Sequence, residues 1–212
     1  MARVVFWDVD TQVDFMLPEG KLYVPGALDI TENLARLTRH ARAHRITRVA
    51  SVCDHVPDDP EISAGPDYRT TFPPHCLRGS EGQRKIPATA MESPLVVPNR
   101  REDPAELRRR LERHTGELLV EKSEFDVFTN PNVGVLLEAL QPETLVVYGV
   151  AQDVCDACAI EGFLKRGGSR VAFVEDAARS IDARRGAELL ADWKRRGVAV
   201  LTTADVVAGR YA

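Results

Sequence analysis

Short, unbroken apolar runs punctuate the chain. "RVVFWD" (3–8), "ITRVASVC" (46–53), "ELLVEK" (117–122), "TLVVYGV" (144–150), "RVAFVED" (170–176) and "VAVLTT" (198–203) are rich in β-branched residues and do not alternate with polar ones. That pattern marks strands buried on both faces. Between them lie stretches with helical spacing. "GALDITENLARLTRHARAH" (26–44) sets Leu28, Ile30, Leu34, Leu37 and Ala41 on one side, and "DPAELRRRLERH" (103–114) opens with an Asp cap and a Pro in its first turn. "NPNVGVLLEAL" (130–140), "DVCDACAIEGFLKRG" (153–167) and "DARRGAELLADWKRRG" (182–197) follow, the last two closing on Gly, a good C-terminal stop. The alternation predicts an α/β fold, a three-layer α/β/α sandwich around a mostly parallel six-stranded sheet. Ligands of such sheets bind beyond the carboxyl ends of the strands.

One segment interrupts the rhythm. Residues 54–100 are rich in Pro, Asp and Gly and show little periodicity. A loop of that length inside a compact domain is functional or disordered, and the aromatic and proline content of "DYRTTFPPHC" favours an ordered, functional loop. The 212 residues suit a single domain, 1–212, large enough to bury a core without staples.

Composition adds exclusions. A formal net charge of -4 gives no overall attraction to nucleic acid or acidic membranes, and no apolar run reaches the ~18 residues of a bilayer span. "MARVVFWDVD" lacks the apolar core of a signal peptide. A cytoplasmic location is the expectation, and with it four cysteines outside structural disulfides. Arginine far outnumbers lysine; the lysines are Lys21, Lys85, Lys122, Lys165 and Lys194. A lysine in an apolar setting is therefore worth a look.

The strand ends carry the candidate chemistry. "DVDTQVDF" brings Asp8, Asp10, Gln12 and Asp14 to the exit of the first strand. A solvated turn explains any one of them, but three carboxylates beside a buried strand repel one another, and Asp10 is placed to serve as a base. Lys122 ends the "ELLVEK" run, either as a lysine snorkelling from a strand tip or as a fixed positive charge aimed into a site. In "GVAQDVCDAC" a strand runs through a Gly-led turn to Cys155 at the start of a helix. The helix N-terminus favours the thiolate there, and free backbone N–H groups of the turn can bind an oxyanion. A buried, inert cysteine is the plain alternative. Cys158 follows one helical turn later, so a C-x-x-C thiol–disulfide redox protein is a rival from another class. A catalytically silent binding protein is a further one.

"DVDTQVDF…EGKLYVPGA", Lys122 and "GVAQDVC" together resemble the nicotinamidase/isochorismatase-like cysteine hydrolases, and "GPDYRTTFPPHCLRGSEG" resembles the W-P-P-H-C-x-x-G-T-x-G loop of nicotinamidases. The resemblance covers nearly the whole chain. It implies a triad of Asp10, Lys122 and Cys155, an oxyanion hole formed partly at a cis Val150–Ala151 peptide together with Cys155, and a small carboxamide as substrate. Gln12 and Asp14 are implied to support the site, with Gln12, Phe15 and Phe72 at the substrate pocket. Family members also imply a homo-oligomer and a divalent transition metal (zinc, with iron or manganese as alternatives) held by Asp-x-His and further histidines. Here the matching positions read Cys53, His55, Glu61 and His75, a departure in two of the four, with Asp54 offered by a one-residue shift. Within the family, hydrolysis of a carbamoyl or ureido amide, or of isochorismate, is the alternative reaction.

Overall fold

The computed structural model describes residues 3–211. Seven strands form one parallel sheet: β1 (Val4–Val9), β2 (Thr47–Cys53), β3 (Leu95–Val97), β4 (Leu118–Lys122), β5 (Thr144–Val150), β6 (Arg170–Arg179) and β7 (Ala199–Leu201), in the order β3-β4-β2-β1-β5-β6-β7. The sequence predicts six. The extra one, β3, is a three-residue edge strand inside the 54–100 segment, fenced by Pro94 and Pro98, too short to register as a run.

Helices cover both faces. α1 (Val13–Met16), α2 (Thr31–Ala43) and α7 (Thr203–Val207) pack on one side, where Phe15, Met16, Leu34, Leu37 and Val206 meet Phe6, Val146, Tyr148 and Val174. α3 (Pro104–Arg113), α4 (Val133–Leu140), α5 (Cys155–Arg166) and α6 (Ala183–Arg195) pack on the other, where Leu107, Leu136, Ile160, Phe163 and Trp193 meet Trp7, Val49, Val147 and Phe173. Neighbouring residues of β1 and β5 thus enter opposite cores, as strands covered on both faces require. Leu28, expected on the buried face of the first long helix, is exposed. Residues Ala27–Ile30 form a 3₁₀ turn that changes the angular phase ahead of α2, so Ala27 and Ile30 face the core and Leu28 does not.

The chain leaves β1 toward β2 on one side, and β5 lies on the other. The crevice at the C-terminal ends of β1, β2, β4 and β5 is the point where ligands of open α/β sheets bind. Gly149 makes the close packing there possible. Its φ is +135°, and a Cβ at this position would stand 2.1 Å from the carbonyl oxygen of Val9 on the adjacent strand. The Val150–Ala151 peptide that follows is cis. Among the described residues no helix is long and apolar enough to cross a membrane.

Candidate active site

Four strand ends deliver Asp10, Cys53, Lys122 and Cys155 to one buried cluster. Asp10 leaves β1 with φ +47°, a left-handed conformation that Asp tolerates better than most residues. Lys122 Nζ lies 2.8 Å from Asp10 Oδ2, and both side chains are wholly buried. The same nitrogen donates to the Glu124 carbonyl at 3.0 Å, to Cys53 Sγ at 3.2 Å and to Cys155 Sγ at 3.7 Å. Ser51 Oγ donates to Asp10 Oδ1 at 2.8 Å, and the Cys53 Sγ lies 3.9 Å from Asp10 Oδ2. Burial disfavours an ammonium here, but Asp10 and the two sulfurs outweigh it and hold Lys122 well above the usual lysine range.

Cys155 is the first residue of α5, as the sequence predicts. The expected fall in its thiol pKa does not follow. Burial is the largest influence and pushes the thiol up, with Lys122 opposing it. The helix start is a local feature of the chain, whereas desolvation comes from the surrounding fold. The resting group is therefore a thiol beside a carboxylate. Val154 and Asp156 donate their N–H groups to the Ala151 carbonyl, while those of Ala151 and Cys155 have no backbone acceptor among the described residues. Cys158 is half-buried on α5, and all four cysteines are free.

Cys155 opens onto a largely apolar cavity. Phe15, Phe72 and Phe125 wall it, with Val24, Val154 and Ile181; Val150 and Ala151 form part of the floor and Glu61 and His75 the polar side. Gln12, expected at this pocket, does not line it. Its amide is consumed in a brace: Nε2 donates to the carbonyls of Cys53 and Gln83, both at 2.8 Å, and Oε1 accepts from Cys53 N–H at 2.7 Å. Asp14 has a similar task, accepting from the N–H groups of Lys21 (3.0 Å) and Cys76 (2.6 Å). Asp8 belongs to neither. It is buried against Lys85 Nζ (3.0 Å) and Arg48 Nη1 (3.3 Å), so the three carboxylates predicted to crowd one strand exit have separate partners.

The isochorismatase domain model matches residues 5–205. The chain belongs to the isochorismatase family. Solved structures of its fold include the nicotinamidase/pyrazinamidase of Bacillus subtilis (20% identity, 95% of this chain and 100% of that one, TM-score 0.73). The pyrazinamidase of Pyrococcus horikoshii, in complex with zinc, is also similar (20%, 94% and 99%, 0.73), as is the N-carbamoylsarcosine amidase of Thermoplasma acidophilum (22%, 96% and 97%, 0.71). No curated protein matches the chain in sequence.

In this isochorismatase-family chain the donor atoms of Cys53, His55 and His75 all lie within 4.8 Å of one another. His55 Nδ1 is paired with Asp59 Oδ2 at 3.1 Å and His75 Nδ1 with the Pro73 carbonyl at 2.9 Å, leaving both Nε2 atoms as donors toward a cation. His55 Nε2 is buried and has no hydrogen-bond partner among the described residues. Burial lowers both imidazoles, His75 to about 4, so both are neutral near pH 7. Glu61 Oε1 lies 3.9 Å from His75 Nε2, its carboxyl pushed up to about 7 by burial. A sulfur, two imidazoles and a nearby carboxylate fit a transition metal. Asp54, the alternative ligand, faces away, both oxygens bound to Arg78 and one also to Gln83.

Sequence reasoning misses several residues of the site. Ser51 fixes Asp10, Asp59 orients His55, and Phe125 and Ile181 complete the apolar wall. Each is an ordinary residue in its local context. Lys85 carries a signal, as one of five lysines in the chain, but its partner is the remote Asp8.

Proposed function

We propose that this family member is an amidohydrolase that converts a small neutral carboxamide of the nicotinamide kind to its carboxylic acid and ammonia, through a thioester on Cys155. One observation carries the reading. Cys155, with Asp10 and Lys122 beside it, opens on an aromatic cavity whose lining includes no Lys or Arg among the described residues. A flat, uncharged amide fits that wall. A substrate bearing a carboxylate, such as isochorismate or a carbamoyl amino acid, would meet Glu61 and no cationic side chain, an unfavourable desolvation.

The residues divide the reaction between them. Asp10 takes the Cys155 proton as the sulfur attacks the amide carbon, and Lys122 keeps the carboxylate and the forming thiolate in register. The N–H groups of Ala151 and Cys155 stabilise the negative oxygen of the tetrahedral intermediate. Asp10 returns its proton to the departing nitrogen, which leaves as ammonia, and the acyl group stays on sulfur. Asp10 then draws a proton from water, the hydroxyl oxygen attacks the thioester, and the acid and free thiol are released. A divalent metal held by Cys53, His55, His75 and Glu61 would supply a coordination position for a ring nitrogen of the substrate.

The test is ammonia release from nicotinamide, pyrazinamide and a panel of ureido acids. Hydrolysis of the neutral amides, lost in Cys155→Ser with an unchanged melting temperature, is the expected result. A Cys155→Ser protein that keeps most of its turnover rejects the nucleophile, and faster hydrolysis of the ureido acids transfers the assignment to the carbamoyl branch of the family.

A further inference from the structure

Cys53 belongs to two centres at once. Its sulfur is one of the three clustered donor atoms, with those of His55 and His75. The same sulfur accepts a hydrogen bond from Lys122 Nζ at 3.2 Å, closer than the 3.7 Å from that nitrogen to the Cys155 sulfur. It also faces the substrate cavity. The residue cannot shift easily to favour one centre, because Gln12 clamps both its N–H and its carbonyl and the adjoining backbone ends β2. A sulfur has more than one lone pair, so a single atom can bind a cation on one side and accept the ammonium's hydrogen bond on the other.

We propose that Cys53 ligates a zinc-class divalent cation through its sulfur while that sulfur keeps the Lys122 hydrogen bond, so that it is the atom joining the metal centre to the nucleophile centre. The inference rests on the metal reading above and deepens it. On binding, the S–H bond of Cys53 breaks, the proton leaves to solvent, and the sulfur electron pair forms the bond to the cation, whose oxidation state is unchanged. A thiolate with two imidazoles favours Zn²⁺ and Co²⁺ over Mg²⁺ or Mn²⁺, which prefer oxygen donors. Cys53 is thus a positioning residue: it acts on Cys155 through Lys122.

Cobalt is the probe, since zinc has no visible spectrum. Chelator-stripped protein titrated with Co²⁺ is expected to bind one equivalent and to show a near-ultraviolet sulfur-to-cobalt charge-transfer band. Cys53→Asp should bind Co²⁺ without that band, and Cys53→Ser should lose the band as well. Lys122→Met should move the band to lower energy, because a sulfur stripped of its hydrogen bond gives up charge more readily, whereas Lys122→Arg, which keeps a donor, should leave it in place. Zinc-edge X-ray absorption of the unmodified protein needs no variant, and one sulfur neighbour at about 2.3 Å is expected. Bound metal with no sulfur neighbour, or a band that survives loss of Cys53, overturns the ligand assignment and leaves the hydrolase reading intact. A band unmoved in Lys122→Met overturns the shared sulfur. Failure to bind either Co²⁺ or Zn²⁺ overturns the inference and the metal reading together, while ammonia release and its loss in Cys155→Ser judge the hydrolase separately.

Discussion

Replacing Lys122 with methionine removes a charge from the most buried part of the molecule and keeps the volume nearly constant. Asp10 would then retain Ser51 Oγ at 2.8 Å but lose the ammonium at 2.8 Å, with no water contact to compensate, since both side chains are completely buried. Breaking a buried pair in this way costs about 3–5 kcal/mol, a large part of the ~5–15 kcal/mol by which a domain is stable. Asp10→Asn leaves the complementary defect, a buried ammonium held only by the Glu124 carbonyl, two sulfurs and a neutral amide. The double variant Lys122→Met/Asp10→Asn removes both charges and should recover much of the loss. In urea unfolding, a slope of about 2–3 kcal/mol per molar places each single variant roughly 1–2 M below the wild-type midpoint, with the double variant above at least one of them. Additive losses, within about 0.5 kcal/mol, would show that the two groups do not act as a pair in the resting protein and would refute the electrostatic account.

Two further outcomes follow from the same geometry. Gly149→Ala drives a methyl group into the backbone of β1 at a positive φ, and a loss of about 3 kcal/mol or more is expected, read as a fall in thermal midpoint or in soluble yield. Asp156 is fully buried, neither carboxyl oxygen has a hydrogen-bond partner among the described residues, and burial raises its pKa well above the usual range. The unfolded chain gives up this proton near pH 4 while the folded protein keeps it, so the group lowers stability as pH climbs from there until the folded carboxyl ionises. Asp156→Asn should therefore raise the melting temperature at pH 8 and leave it nearly unchanged at pH 4; an equal effect at both pH values would sink the explanation.

The sheet is legible in the sequence because parallel strands buried on both faces tend to be continuously apolar, as β5 is beyond Thr144 and β6 is from Val171 to Val174. β3 escapes because three residues between prolines at a sheet edge need no such run. Leu28 misleads because a helical wheel assumes one unbroken helix, and the chain changes from a 3₁₀ turn to an α-helix after Ile30. At the site, Asp10, Lys122 and Cys155 are visible as polar groups at strand ends, and the structure gathers them around one ammonium. What stays hidden depends on the distant chain. The Gln12 brace spans 41 residues to Cys53, and the desolvation that raises the Cys155 thiol comes from the whole fold around it. A pattern read over a dozen residues registers the start of a helix but not the loss of solvent.

The two sides of the cavity have different origins. Asp10, Lys122 and Cys155 are fixed at the ends of the sheet and the start of α5, whereas Glu61, Phe72 and His75 belong to the long segment between β2 and β3. That segment is fastened to the rest by the Gln12 contact with the Gln83 carbonyl, by the Cys76 N–H donating to Asp14 and by the Lys85–Asp8 pair. Such a division lets inheritance act on the two halves independently. Substitutions at Glu61 and Phe72 can alter one wall of the cavity while the buried Asp10–Lys122 pair beneath it stays as it is. The same division would let a designer reshape that wall by redrawing one stretch of chain, without disturbing the buried cluster.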